Sequence, residues 1–461
     1  MENETTEGYE IMTTASIILA AGEGTRMRSK LPKVVHPVAG KPMVWHALKA
    51  VESLVDLPPV LVVGFRAKTV IDEIGDQASY AFQDEQLGTG HAVACARTAL
   101  EGKADTVLVT FADMPLLRKE SVQGMMALHK KGDSPVTMTS YIGEEARGFG
   151  RVVRDSAGHV IAIVEQADAT PEQLAIREYN LSAYCFDAEW LWEALTRIPI
   201  SSKGEYYLTD VVSLAVNEGY QVESFMVEDP DEAIGPNNRV HLAAAEKVMR
   251  QRINQKWMLE GVTIINPEVT YIEAGVQIGQ DTVIYPNTYL RGSTVIGEGC
   301  EIGPDTTIID TLIGNNVKIL ASVLERAKLA DHVTMGPYCH LRKGAVLEEG
   351  VHLGNFGEVK DSTLGPDTKM GHFSYIGNAQ IGKNVNIGAG TITCNYDGEK
   401  KHPTEIGDDV FIGSDTMLVA PVKIGDRSKT GAGAVVTQDV PPDTLVIGVP
   451  AKEKRKLEKS D

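Results

Sequence analysis

Aromatic residues make up only 6% of this 461-residue chain, cysteines number five, and 44 Lys and Arg face 63 Asp and Glu. Each shortage excludes something. The formal charge of −19 argues against general nucleic-acid binding, so any anionic substrate must be met by cations placed locally in a cleft. The cysteines (Cys95, Cys185, Cys300, Cys339 and Cys394) are odd in number and scattered, without a Cys-x-x-Cys pair. That points to a reducing compartment, no zinc cluster, and thiols that mostly serve as small buried side chains. No apolar run approaches the ~18 residues of a membrane span. The polar, acidic stretch 1–14 reads as a loose tail rather than a signal peptide. A cytoplasmic protein of two or three domains, with no membrane and no nucleic-acid partner, is expected.

What the chain does have is a period of six. Ile272, Ile278, Ile284, Leu290, Ile296, Ile302 and Ile308 follow one another at that spacing, which is neither the alternation of an ordinary strand nor the 3.6 of an α-helix. The phase slips, then returns at Leu364, Met370 and Ile376, and again from Ile406 through Ile412, Leu418 and Ile424 to Thr430. This pattern predicts a hexapeptide-repeat β-helix with one inward aliphatic residue per face of a triangular coil. Glycine follows many of these positions, as at Gly297, Gly303, Gly377 and Gly413, where a residue without Cβ suits a tight corner.

Ahead of the coil, from residue 16 to about 238, apolar runs alternate with helical stretches. Residues 16–21, 59–64 and 106–112 read as buried strands, and 43–54 and 90–99 as helices. That order predicts an α/β domain with a mainly parallel sheet and ligands at the strand C-termini. The first strand enters Leu19-Ala20-Ala21-Gly22-Glu23-Gly24-Thr25-Arg26-Met27. Small residues there let the backbone approach a nucleotide, and free N–H groups can hold phosphate oxygens; a bare Gly-x-Gly is as often only a turn. Leu31-Pro32-Lys33 adds a second cation. Asp113, closing the run 107–112, suits a divalent cation shared with a triphosphate; a helix N-cap is the blander alternative. Gln83 and the run 86–92 offer amide, hydroxyl and backbone groups to a base. His91 is given no catalytic role. Residues 239–259 read as one long helix, with Leu242, Ala245, Val248, Ile253 and Trp257 near helical period.

The signature small-Gly-x-Gly-Thr-Arg followed by Leu-Pro-Lys resembles that of sugar-phosphate nucleotidyltransferases. With the coil, and with the runs Gly371-His372-Phe373-Ser374-Tyr375-Ile376-Gly377 and 384–398, the chain from 16 to about 450 resembles the bacterial bifunctional N-acetylglucosamine-1-phosphate uridyltransferase/glucosamine-1-phosphate acetyltransferases. The resemblance implies a Rossmann-like nucleotidyltransferase domain over 1–238, a linker helix over 239–259, and a left-handed parallel β-helix over 260–461. It also implies a homotrimer built through the coil. The substrates would be glucosamine-1-phosphate, acetyl-CoA, N-acetylglucosamine-1-phosphate and UTP, with Mg²⁺ as the metal.

Its site residues carry over position by position. Leu19, Ala20, Ala21, Gly22, Gln83, Gly88 and Thr89 would hold the uridine. Lys33 would bind phosphate and Arg26 would neutralise the departing pyrophosphate. Gly150, Glu165 and Asn180 would read the N-acetylglucosamine, and Asp113 and Asn237 would hold Mg²⁺. Without the resemblance, Asn237 is an ordinary loop residue and Glu165 a solvated strand end. In the coil, His372 would be the general base that takes the amine's proton. Arg342, Lys360 and Lys401 would meet the sugar phosphate; alone, each reads as a solvated cation. Tyr375, Asn386, Asn395 and Tyr396 would hold the sugar and the acetyl end. Ala389, Ser414 and Ala432 would line the coenzyme A groove, while Cys394 only shapes the loop 395–404 that breaks the repeat.

Two departures stand out. The family often carries an arginine near the C-terminus that contacts a coenzyme A phosphate, where this chain reads Ile447-Gly448-Val449-Pro450. Either the basic tail 452–459 replaces it, or coenzyme A is held more weakly. The metal strand ends Phe111-Ala112-Asp113 rather than the commoner Tyr-Gly-Asp. Two other readings remain: a single-activity sugar-1-phosphate nucleotidyltransferase with a purely oligomerising coil, and a β-helical scaffold with a dead first domain. The second conflicts with the presence of Arg26, Lys33 and Asp113 together.

Overall fold

The structure, a computed structural model, describes residues 12–144 and 146–456. The chain forms two compact units, Met1–Met249 and Arg250–Asp461. Of the expected N-terminal tail, 1–11 lies outside the described residues, as do 457–459 of the basic tail. Thr13 and Thr14 are not loose: Thr14 opens the first strand, and the two backbone N–H groups donate to Asp105 and Asp56.

The first unit is built on a nine-stranded sheet in the order β9-β5-β8-β4-β1-β2-β3. Its strands are β1 (Thr14–Leu19), β2 (Val60–Val63), β3 (Ser79–Phe82), β4 (Thr106–Phe111), β5 (Val136–Ile142), β6 (Arg151–Arg154), β7 (Val160–Val164), β8 (Glu178–Asp187) and β9 (Glu223–Met226). β1 is buried along its whole length, as a strand covered on both faces must be. β4, β1, β2 and β3 run parallel. The expectation of a mainly parallel sheet holds: β9 runs parallel to β5, and of the seven strands in that order only β8 is reversed. β8 lies antiparallel to β4 and β5, and β6 and β7 form an antiparallel pair at its side. The physical reason is connectivity: β8 follows the β6–β7 pair and a four-residue helical turn, not a long crossover helix of the kind that returns a strand parallel.

Leu19 pairs with Phe111, so the turn after β1 and the tip of β4 leave the sheet side by side. The helices α1 (Met43–Val51) and α2 (Thr89–Cys95) come out shorter than, or shifted from, the apolar runs that announced them, and α3 (Lys119–His129) was not expected. The linker helix α4 (Arg239–Leu259) matches its expected span. Ala245, with Leu242 and Val248, packs in the first unit, while Ile253 and Trp257 pack into the core of the second.

The second unit is the expected coil. Short strands stack into three flat parallel sheets: face I from Thr263–Ile264, face II from Tyr271–Ile272, and face III from Gln277–Ile278. The inward residues are buried in one continuous core. The slip of phase has a simple cause. Ile308 and Ile313, Ile319 and Leu324, and Leu324 and Leu329 are five apart, so a corner loses one residue while each aliphatic keeps its place in the stack. A second inward position, two before each aliphatic, carries small residues such as Thr282, Thr294, Ser362 and Thr416. It also carries Cys300 and Cys339, whose thiols point at Gly314 O and Gly354 O.

The glycines after the inward aliphatics are needed for want of a Cβ, as expected, and the space a Cβ would need is filled by neighbouring coils. Neither Gly388 nor Gly413 has a left-handed backbone. A Cβ on Gly388 would stand 2.5 Å from Ser414 N, and one on Gly413 2.6 Å from Thr430 O. The coils can therefore close up only where no side chain intervenes. Left-handed corners are shared between glycines such as Gly303 and Gly336 and residues such as Asp367, Asn384 and Asp409, whose short polar side chains tolerate that region.

Candidate active sites

At the C-terminal ends of β1, β3 and β4, the first unit opens into a cleft of about 530 Å³. Every residue expected to act in this domain lines it. At one end lies the turn after β1. Gly22 has nothing within 4 Å of the place a Cβ would take, so the backbone there faces open space. Gly24 is left-handed, and a side chain on it would collide with the stem of Lys33. Lys33, only 8% exposed, thus has its ammonium aimed by the turn.

That ammonium lies 2.5 Å from Asp113 Oδ2 and 2.6 Å from Asn237 Oδ1, and Arg26 donates to the same Asn237 oxygen at 3.1 Å. Residues far apart in sequence thus converge on one point, with a cation standing on it. A carboxylate oxygen and an amide oxygen, open to the cleft beside two phosphate-seeking cations, form a hard-oxygen pair that suits a divalent ion completed by phosphate and water. The donors fit such a metal, with the ammonium as its stand-in. Among the described residues no group of three or more His, Cys, Asp or Glu could hold one instead.

The wall after β3 is shaped by backbone. Gly88, at φ 101, presses on the backbone of Tyr206, and Thr89 Oγ1 accepts from Leu208 N at 2.9 Å. The amide of Gln83 donates to Gly88 O at 3.0 Å and lies 3.1 Å from His91 Nδ1. Its Nε2 is therefore engaged by the loop, and its carbonyl oxygen is what remains for a base.

The far end is more acidic. Glu165 accepts from Thr209 at 3.2 Å. Burial, with Asp210 and Asp168 as like-charged neighbours, pushes its carboxyl above the ordinary range. Gly150 abuts it: a Cβ there would stand 3.5 Å from Glu165 Oε1. Asn180, 2% exposed, donates to the Tyr184 hydroxyl at 2.6 Å. Tyr184, Ser182, Tyr207 and Thr209 also line this end and were missed in the sequence. Tyr184 sits in an apolar run that reads as core, and the others belong to no motif.

A raised carboxyl pKa has a consequence for stability. The folded protein holds the Glu165 proton more tightly than the unfolded chain does, so this group's contribution is full below the ordinary value of 4.5. It is lost as pH rises through the higher folded value. Glu165→Gln is therefore expected to melt higher than the parent protein above that window and equally below it. A pH series of melting curves checks this; no gain at high pH would show the carboxylate to be well solvated.

In the coil, the expected residues fall into three groups. Arg342 and Lys360 end successive strands of face II, and Tyr375 stands on the next strand of that face. Arg342 donates to Glu358 at 2.9 Å. The Lys360 ammonium is held below its ordinary range first by its contact with Lys401 and then by Arg342. Three cations therefore crowd one edge of the face, an arrangement that an anion would relieve. The loop 395–404 that brings Lys401 there is a small hairpin, bridged between Tyr396 and Lys401. Asp397 ties its tip, accepting from Glu399 N, Lys400 N and His402 Nε2, and is pulled well below the usual carboxylate range. Asn395, 6% exposed, donates to Asn378 at 2.7 Å, while Tyr396 is exposed. Gly377 has no Cβ because Tyr375 Oη and Asn395 Nδ2 occupy its place.

The second group is a corner. His372, Ala389, Ser414 and Ala432 each follow a glycine at the end of successive face I strands, forming a low strip topped by one exposed imidazole. Asn386 is the third: it points outward on face I, whereas Tyr375 and Lys360 stand on face II. The described part of the basic tail forms a strand, Lys452–Lys456, paired antiparallel with Thr444–Ile447. Gly448 lies beside it at the turn, left-handed at φ 92.

Comparison with known proteins agrees with this division. Residues 16–203 match the MobA-like NTP transferase domain, and 275–310 and 403–438 match the bacterial transferase hexapeptide (six repeats). A bifunctional protein GlmU of Pelobacter propionicus is 48% identical over 438 residues, covering 94% of this chain and 95% of that one. Those of a Geobacillus species and of Heliobacterium modesticaldum are 47% and 46% identical over 433 residues, each covering 94% of both chains. With identity of this order along nearly the whole length, the chain belongs to the family of the bifunctional GlmU proteins.

Proposed function

We propose that the two sites act in sequence, acetylating glucosamine-1-phosphate in the coil and transferring uridylyl to the product in the first unit. The chain is a bifunctional enzyme of UDP-N-acetylglucosamine synthesis. The single observation that carries the assignment of residues is the convergence of Lys33, Arg26, Asp113 and Asn237 at one end of a cleft whose other end holds Glu165 and Asn180. On this reading 1–238 is the uridylyl domain, 239–259 the link and 260–461 the acetyl domain.

In the cleft, an oxygen of the sugar 1-phosphate attacks the α-phosphorus of UTP, and the bond to the β-phosphate oxygen breaks, releasing pyrophosphate. Arg26 and Lys33 align the phosphates and spread the charge that develops. A bound divalent ion, which we take to be Mg²⁺ held by Asp113 and Asn237, would lower the charge repulsion between phosphates. Lys33 then turns from those two oxygens to a phosphate. Glu165 and Asn180 orient the sugar, and no protein group needs to be nucleophile.

In the coil, the amine of glucosamine-1-phosphate attacks the thioester carbonyl of acetyl-CoA. The C–S bond breaks, His372 removes the nitrogen's proton, and the thiol leaves protonated. Arg342, Lys360 and Lys401 hold the phosphate, and the strip Ala389, Ser414 and Ala432 admits coenzyme A. Because Asn386 and Tyr375 stand on different faces, we take the site to be completed by a second copy, in a homotrimer. No described helix is long and apolar enough to cross a membrane.

Pyrophosphate release from UTP and N-acetylglucosamine-1-phosphate, without acetyl-CoA, tests the cleft. Release is expected with Mg²⁺ and none after EDTA. Release that survives EDTA would remove the metal from Asp113 and Asn237.

A further inference from the structure

Strand β8 is interrupted where it borders the cleft. Asn180 pairs with Ser140 and Tyr184 with Met138 on β5, so Leu181, Ser182 and Ala183 together face the single residue Thr139. Thr139 Oγ1 closes this bulge by donating to Ala183 O at 3.1 Å and accepting from Ala183 N at 3.3 Å. Ser182 is left-handed at φ 62, a conformation that costs a residue with a side chain and recurs at ligand sites. The Asn180 amide completes the knot: its Oδ1 accepts from Ser182 N at 3.1 Å and its Nδ2 donates to the Tyr184 hydroxyl at 2.6 Å.

The direction of that last bond matters. A phenol oxygen that accepts from an amide still has its own hydrogen to give. Tyr184 is 1% exposed and lines the cleft, and among the described residues no acceptor takes that hydrogen. Buried donors in folded proteins nearly always have partners, and Tyr184 lines the cleft together with Glu165, Asn180 and Thr209. Burial holds the phenol well above its ordinary range, so the hydrogen is present at any working pH. Next to it, Asn180 Nδ2 retains a second hydrogen. This corner of the cleft is therefore a pair of donors waiting for an oxygen.

We propose that Tyr184 is the residue by which the cleft selects the acetylated sugar, its hydroxyl donating to the carbonyl oxygen of the 2-acetamido group. A free 2-amino group is protonated near neutrality and offers only donors, so it would set N–H against O–H and N–H. A 2-hydroxyl can accept, but it does not extend as far. The selection would enforce the order of the two reactions, because unacetylated glucosamine-1-phosphate would be refused by the first unit. The inference rests on the reading of this cleft as the uridylyl-transfer site.

The test is kcat/KM for pyrophosphate release with the 1-phosphates of N-acetylglucosamine, glucosamine and glucose, for the parent enzyme and Tyr184→Phe. The variant is expected to lose roughly 10- to 100-fold on the acetylated sugar, to change little on the other two, and to keep its KM for UTP. Ser182→Gly, which relaxes the bulge but spares the hydroxyl, is expected to retain the preference. A Tyr184→Phe enzyme that still prefers the acetylated sugar as strongly would overturn the proposal. So would a Ser182→Gly enzyme that loses the preference, or a parallel loss of UTP binding, since either would assign the effect to the shape of the bulge. A parent enzyme that releases no pyrophosphate with any of the three sugars would sink the reading of the cleft itself, before any variant is made.

Discussion

Replacing His372 by Ala is expected to cut the release of thiol from acetyl-CoA in the presence of glucosamine-1-phosphate by roughly 10²- to 10⁴-fold, and to leave pyrophosphate release from UTP and N-acetylglucosamine-1-phosphate unchanged. His372 is the only titratable side chain in the low strip made by Ala389, Ser414 and Ala432. It is exposed at the corner where face I gives way to face II. An amine must lose a proton as it becomes an amide, and no other group on that strip can accept one. Thiol release that survives in His372→Ala would assign the base elsewhere or reduce the coil to a scaffold. Loss of both activities would instead indicate a folding defect.

The converse variant is Asp113→Asn. It removes the only carboxylate of the pair facing Lys33 while keeping the size of the side chain. Uridylyl transfer is expected to fall by about 10²- to 10³-fold, with acetyl transfer intact. A readout besides turnover is available: Mn²⁺ followed by electron paramagnetic resonance should bind the parent protein and bind the variant much more weakly. Equal Mn²⁺ binding by both proteins would show that the metal is held elsewhere. A variant that binds the ion weakly yet turns over normally would show the ion to be dispensable.

The legible and illegible parts of this molecule differ for physical reasons. The coil announces itself because every inward residue repeats the same task against the coil before it, so period six survives in the sequence. The stretch between Ile308 and Leu364 was harder to read only because corners such as those before Ile313 and Leu324 drop a residue. The need for glycine at the corners was legible, but not how closely the next coil approaches Gly388 and Gly413. In the first unit the phosphate turn could be read locally, because Gly22, Gly24, Arg26 and Lys33 lie within one loop. Its convergence with Asn237, 204 residues from Lys33, could not be read from spacing. The sugar end was the least visible. Its walls come from the end of β7, from β8 and from the segment 205–209, and Tyr184 sits in a run of core residues, so only the folded cleft shows it among the lining. The antiparallel β8 was missed for a related reason: strand direction is set by connections, which local hydrophobicity does not record.

The most direct test of two coupled activities in one chain is a single incubation with glucosamine-1-phosphate, UTP and Mg²⁺, with and without acetyl-CoA, its products resolved by anion-exchange chromatography. UDP-N-acetylglucosamine is expected to form only when acetyl-CoA is present, with free thiol and pyrophosphate appearing in equal amounts at completion. A UDP-sugar formed equally well without acetyl-CoA would contradict the account.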